Sequence, residues 1–257
     1  MRSIWTGAIG FGLVTIPVKL YSATESSTLD FDMLDKKDHA RIHFKRVNEH
    51  TGKEVAWGNI VKGYDLNGKY VVLTDDDFAA ASPEKTKRIE LFQFVKESEI
   101  DSIYYDTAYY LEPDKSGGKP YMLLMEALKK TGMAGVGSFV LRNKENLAVV
   151  KVHENILMVN KIRFHSEIRS TKDITLPAKN TIKPGELKMA LALIEQMSEK
   201  FDISAYKDTY SDELMKLIKA KAKGAKPKAT VLRVVHKQTT DLMEQLKASL
   251  GKRKKAS

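Results

Sequence analysis

Apolar side chains recur at every second residue through Val14, Ile16, Val18 and Leu20, between Thr15, Pro17, Lys19 and Tyr21. A period of two belongs to a strand with one buried face, and strand signals of this kind fill most of the first 165 residues. Residues 138–142, 147–153 and 156–164 read as three short strands, split by residues 143–146 and by Glu154-Asn155. Asn67-Gly68 sits between two apolar runs and predicts a hairpin, because both residues tolerate the positive φ of a type I′ turn. Residues 88–95 (RIELFQFV) are apolar or aromatic on both faces, which predicts a buried central strand. Short strands at this spacing build a barrel or a sandwich.

One helix interrupts the strands. Residues 119–131 (KPYMLLMEALKKT) carry Met122, Met125 and Leu128 at helical spacing, with Gly132 as the C-cap. The period changes again after Pro184, where Leu187, Ala190, Leu191, Ile194, Met197 and Phe201 form one stripe of an amphipathic helix. A second helix is expected over 208–223. Residues 224–230 (GAKPKAT) resemble a linker. Beyond them, residues 240–250 (TDLMEQLKASL) form a short candidate helix with Leu242, Met243, Leu246 and Leu250 on one side. About 11 residues make a marginal helix on its own, and an apolar stripe after a linker suits docking to a partner. The fold class is mainly β with a helical C-terminal region.

Composition narrows the functions open to the chain. It has no cysteine, which excludes a disulfide framework, a thiol nucleophile and zinc sites built on sulfur. No apolar run approaches the roughly 20 residues of a membrane helix. Arg2 followed by residues 4–18 imitates a secretory signal, but Gly7, Gly10, Gly12 and Pro17 interrupt it and the strand alternation opposes it.

The net charge of +10 is placed unevenly. Residues 211–257 hold 13 Lys/Arg against 4 Asp/Glu, whereas residues 1–210 hold 30 against 29. A body that binds an anion must therefore gather its cations onto one face by folding. Residues 36–69 supply Lys36, Lys37, Arg41, Lys45, Arg46, Lys53, Lys62 and Lys69. Residues 139–169 supply Arg142, Lys144, Lys151, Lys161, Arg163 and Arg169.

Enzyme signatures are thin. Two G-x-x-G-x-G runs, at Gly7 and at Gly132, reverse the dinucleotide fingerprint, and no phosphate loop of the G-x-x-x-x-G-K-[ST] type is present. Thr74 followed by Asp75, Asp76 and Asp77 reads as a helix N-terminus rather than a metal site. Pro113-Asp114 resembles the start of a nuclease site, but the nearest acid-x-Lys element is at Glu186, over 70 residues on. His39 and His43 could share a helix face without a third ligand. No catalytic constellation emerges, and no cofactor or metal is expected.

A set of ordered motifs resembles the bacterial Ku family. Residues 2–24 (RSIWTGAIGFGLVTIPVKLYSAT) are similar to the family's opening segment. Residues 51–55 (TGKEV), 61–64 (VKGY), 70–77 (YVVLTDDD), 103–105 (IYY), 108–114 (AYYLEPD), 139–142 (FVLR) and 167–169 (EIR) follow in the family's order. Residues 241–250 (DLMEQLKASL) look like its short C-terminal segment. The resemblance implies a β-barrel core over 1–180, with a bridging arm near 36–62 that helps form a ring in the homodimer. A helical part over 181–224 and a linker, docking helix and basic tail over 225–257 would follow.

It further implies a non-enzymatic role in non-homologous end joining. The ring would hold double-stranded DNA ends and recruit a multifunctional ATP-dependent DNA ligase, in the cytoplasm at the nucleoid. The DNA-binding residues expected on this reading are Lys36, Lys37, Arg41, Lys45, Arg46, Lys53, Lys62, Arg142, Lys161 and Arg163, and Leu242, Met243, Leu246 and Leu250 would meet the ligase. Two departures stand out. The basic extension ends after residues 251–257, and the arm lacks the cysteine that the family often carries there. A sequence-specific regulator would instead need a helix-turn-helix with a basic recognition helix, which residues 1–165 lack. A nuclease would require metal-dependent cleavage.

Overall fold

A computed structural model describes residues 1–26, 29–81, 87–142, 144–177 and 182–224, together with residues 243, 246 and 249. Two compact units divide the chain, residues 1–26 with 30–169, and residues 27–29 with 170–257. The first contains strands β1 (Trp5–Phe11), β2 (Val14–Ser22), β3 (Lys62–Leu66), β4 (Lys69–Leu73), β5 (Arg88–Lys96), β6 (Tyr105–Pro113), β7 (Met133–Leu141), β8 (Lys144–His153) and β9 (Ile156–Ile162). Seven of them close a barrel in the order β1-β2-β6-β9-β8-β7-β5. Every neighbouring pair is antiparallel except β5 with β1, which closes the barrel in parallel.

The alternation along β2 works as its pattern dictates. Ile16, Val18 and Leu20 are fully buried in the barrel with Ile9, Ile89, Leu111, Phe139, Val150, Leu157 and Val159. Helix α2 (Gly118–Thr131) packs against β2, β7 and β8 through Tyr121, Leu124, Met125 and Leu128. These four positions follow the i, i+3, i+4, i+7 spacing of one helix face. Met122, expected on that stripe, lies off it and is half exposed. Gly132 ends the helix in the left-handed conformation at φ 65°, its N–H donating to the carbonyl of Leu128.

Strand β5 departs from expectation. It buries Ile89 and Leu91, but Phe92 is 61% exposed and Phe94 40% exposed. A barrel wall has an inner and an outer side, so a strand apolar on both faces keeps one of them outside. β5 is also bulged between Leu91 and Gln93 against β7. The glycine runs that imitate a nucleotide loop flank this strand, in β1 and β7. A Cβ on Gly7 would come 2.3 Å from the carbonyl oxygen of Lys87, and one on Gly137 would come 2.1 Å from that of Glu90. Gly7 and Gly137 therefore serve close strand approach, whereas Gly12 and Gly132, with open space around them, serve positive-φ turns.

Between β2 and β5 the chain leaves the barrel. Leu34 bridges to Arg41 and Val47 to Glu54, and β3 and β4 form a separate hairpin. Its turn is the expected one, with Asn67 at φ 56° and Gly68 at φ 85°. Helix α1 (Asp75–Ala81) begins at Thr74, whose backbone N–H donates to Asp77 while the Asp77 N–H donates to the Thr74 hydroxyl. This reciprocal cap holds the Asp77 carboxyl below the usual carboxylate range. His39 stands at φ 59° in a turn rather than on a helix, so it and His43 share no helical face.

The second unit holds α3 (Pro184–Met197) and α4 (Thr209–Ala222). Phe201, expected on the α3 stripe, falls in the segment after the helix. Neither helix buries a single residue. Among the described residues no helix is long and apolar enough to cross a membrane.

Candidate nucleic-acid interface

The end of the barrel opposite α2 is open and polar. Inward-facing positions that carry Leu20, Ala148 and Val159 deeper in the barrel carry Ser22, Asn146 and Lys161 at this mouth. Ser22, Thr107, Tyr109, Asn146 and Lys161, with Ile4, Leu141, Arg142 and Lys144, enclose about 510 Å³. The excursion between β2 and β5 leaves from Ser22 and returns at Arg88, both ends of which belong to this side of the barrel.

Three expected cations meet here, with different surroundings. Lys161 places its ammonium 2.7 Å from the Asp106 carboxylate, and Arg163 approaches the same carboxylate at 3.5 Å. The Lys161 hydrogen bond is the main reason the Asp106 carboxyl sits below its usual range. Arg163 also donates to the backbone carbonyls of Ile103 and Tyr105. It ties the β9 end to the start of β6. Arg142 occupies the β7–β8 turn at φ 54°, a left-handed conformation that few non-glycine residues adopt. Neither Arg142 nor Lys144 has a carboxylate within ion-pair range among the described residues. Lys144 belongs to the basic stretch over 139–169 but was not among the expected DNA-binding residues, although it follows FVLR by two positions. Asp106 was also missed, since nothing in linear spacing ties it to Lys161, 55 residues away.

The arm formed by the excursion between β2 and β5 sorts its cations in the same way. Arg41 pairs with Asp32 at 2.6 Å and Lys45 with Glu54 at 2.7 Å. These pairs are mostly exposed, so each stabilises the arm by at most about 1 kcal/mol. Arg46 stacks over Trp57 at 4.7 Å, and Lys62 over Phe78 at 4.5 Å. The ammonium groups of Lys36, Lys37 and Lys53 have no carboxylate partner among the described residues. The cluster Arg41, Lys45 and Arg46, dense in sequence, is thus largely engaged by its own neighbours.

Of the four apolar positions expected to dock a partner, Leu242 and Leu250 lie outside the described residues. Met243 and Leu246 are helical and half-buried. The Met243 methyl lies 3.5 Å from where a Cβ on Gly185 would stand, so it rests against the start of α3 within the second unit. Residues 225–230 of the linker and the basic residues 251–257 lie outside the described residues. Asp114, the start of the nuclease-like motif, faces Lys19 at 4.0 Å.

A family model described as the Ku70/Ku80 beta-barrel domain matches residues 10–189. The chain is 38% identical to the "Non-homologous end joining protein Ku" of Coxiella burnetii, over 99% of its own length and 96% of the relative's. It is 43% identical to the protein of that name from Pseudomonas aeruginosa, over 86% and 77%, and 37% identical to that of Mycobacterium tuberculosis, over 100% and 97%. The closed seven-stranded barrel, the arm rooted at its polar mouth and these near full-length relatives make the chain a member of the Ku family.

Proposed function

We propose that the protein binds the ends of double-stranded DNA without reading their sequence, as a ring-shaped homodimer acting in non-homologous end joining. On this reading it protects ends and brings an ATP-dependent DNA ligase to them, and performs no catalysis itself. The observation that carries the reading is the coincidence of the arm's two roots with the cationic barrel mouth. A duplex lying against that mouth meets Arg142, Lys144 and Lys161 on one side and Lys36, Lys37 and Lys53 on the arm. Such contacts reach phosphates, which carry no sequence information, and gain affinity by releasing counterions. The relatives' shared name supports the pathway.

Dimerisation is supported by apolar surface that one chain leaves uncovered. In the arm, Phe31, Phe44 and Trp57 are exposed, and in the second unit so are Leu187, Leu191, Ile194 and Met197. A monomer rarely exposes so much, and a second copy supplies the cover. The half-buried Met243 and Leu246 favour a segment that packs on its own unit before any ligase reaches it.

Binding to several unrelated linear duplexes of equal length tests the reading. Affinities should agree, and log K should fall steeply and linearly with log salt. Differences above about 1–3 kcal/mol between sequences, the size of one good base contact, would show direct readout instead.

A further inference from the structure

We propose that the outer wall of the barrel carries a docking site for one cationic side chain, an arginine or lysine of a partner protein, held between Tyr21, Tyr110 and Glu112. Tyr21 and Tyr110 are register partners on β2 and β6, facing outward because their neighbours Leu20 and Leu111 fill the core. With Met1, Glu112 and Ile156 they surround an open cavity of about 470 Å³. His153 stacks on the far side of Tyr110, with ring centroids 6.2 Å apart and planes inclined by 23°. Two tyrosine rings and an apolar floor suit a cation over π-faces.

The charge decides what enters. Tyr21 donates its hydroxyl to Glu112 Oε2, which leaves Oε1 for a second donor. Lys19 is the register partner of Glu112, yet its ammonium is turned to Asp114 at 4.0 Å. No Lys, Arg or His among the described residues forms an ion pair with Glu112. A carboxylate beside two aromatic rings, with no ion-pair partner among the described residues, the N-terminal ammonium of Met1 at the cavity included, repels a phosphate and attracts a guanidinium or ammonium group. The site is therefore unsuited to DNA and complementary to a basic protein segment. It does not depend on the DNA-binding reading, and its test contains no DNA.

The test follows the Ile156 methyl signal of the full chain by NMR during titration with acetyl-Gly-Arg-Gly-amide. The control probe is acetyl-Gly-citrulline-Gly-amide, which keeps the shape and removes the charge. A saturable shift with the arginine probe alone supports the proposal, as does a response weakened about tenfold in Glu112→Gln, a change that preserves shape. No saturable shift, an equal response to citrulline, or an unchanged response in Glu112→Gln overturns it. A response that appears only when Lys252, Arg253, Lys254 and Lys255 are all changed to Gln would assign the site to the chain's own terminus, and also overturns it. Matching melting temperatures keep a loss of response in the variant from being read as misfolding.

Discussion

The backbone N–H of Leu157 donates to the hydroxyl of Tyr121 at 2.7 Å, a strand bonding to a side chain of the helix that plugs its barrel. The same hydroxyl donates to the carbonyl of Leu111 at 2.7 Å. Leu111 and Leu157 are register partners, so one phenol bridges the ends of β6 and β9. Tyr121→Phe keeps the buried ring and strands both backbone groups. It should cost about 1–3 kcal/mol in urea unfolding. Burial raises the Tyr121 pKa, favouring the neutral phenol in the folded state. Its contribution is then fully present below about pH 10 and lost as pH rises beyond it. The stability gap between wild type and Tyr121→Phe should narrow above that pH.

Gly137→Ala should destabilise the barrel by about 1–3 kcal/mol, the usual cost of overpacking. The added Cβ would meet backbone, the Glu90 carbonyl, which cannot rotate away. Gly118→Ala, where no atom lies within 4 Å, is the control and should be close to neutral. Thermal unfolding of both variants checks this.

Asp106→Asn should tighten duplex binding and steepen the salt slope by about one. The substitution frees Lys161 from its 2.7 Å partner and leaves Arg163 anchored on carbonyls. Because the Asp106 carboxyl is held low, its pairing with Lys161 persists above the ordinary carboxylate range and is lost as pH falls below it. Arg163→Gln, by contrast, should lower the melting temperature.

Changing Lys36, Lys37 and Lys53 together to Gln should reduce the salt slope by about three. The same treatment of Arg41, Lys45 and Arg46 should reduce it less, since Arg41 and Lys45 already face carboxylates and Arg46 lies on Trp57. Fluorescence anisotropy on one linear duplex at several salt concentrations compares the two variants.

Features decided within a few residues could be read in advance. The β2 alternation, the Asn67-Gly68 turn, the Thr74 cap and the Gly132 C-cap each rest on local backbone preference, and each stands as expected. Strand β5 misled because apolarity on both faces says nothing about whether a second layer covers the strand. Phe92 and Phe94 remain on the outer wall. The candidate site was legible as residue types and not as partners. Asp106, Lys161 and Arg163 converge through the β6–β9 pairing, and which cations stay unpaired is settled only when distant strands meet.

The central claim is that a ring closes around duplex DNA and must enter from an end. Competition between a linear duplex and the same sequence as a covalently closed circle, at equal length and moderate salt, tests it most directly. The protein should load on the linear form, remain bound when its ends are then blocked, and leave the circle essentially free. Equal binding to circle and line would contradict the account, leaving a basic surface that grips phosphates from the side.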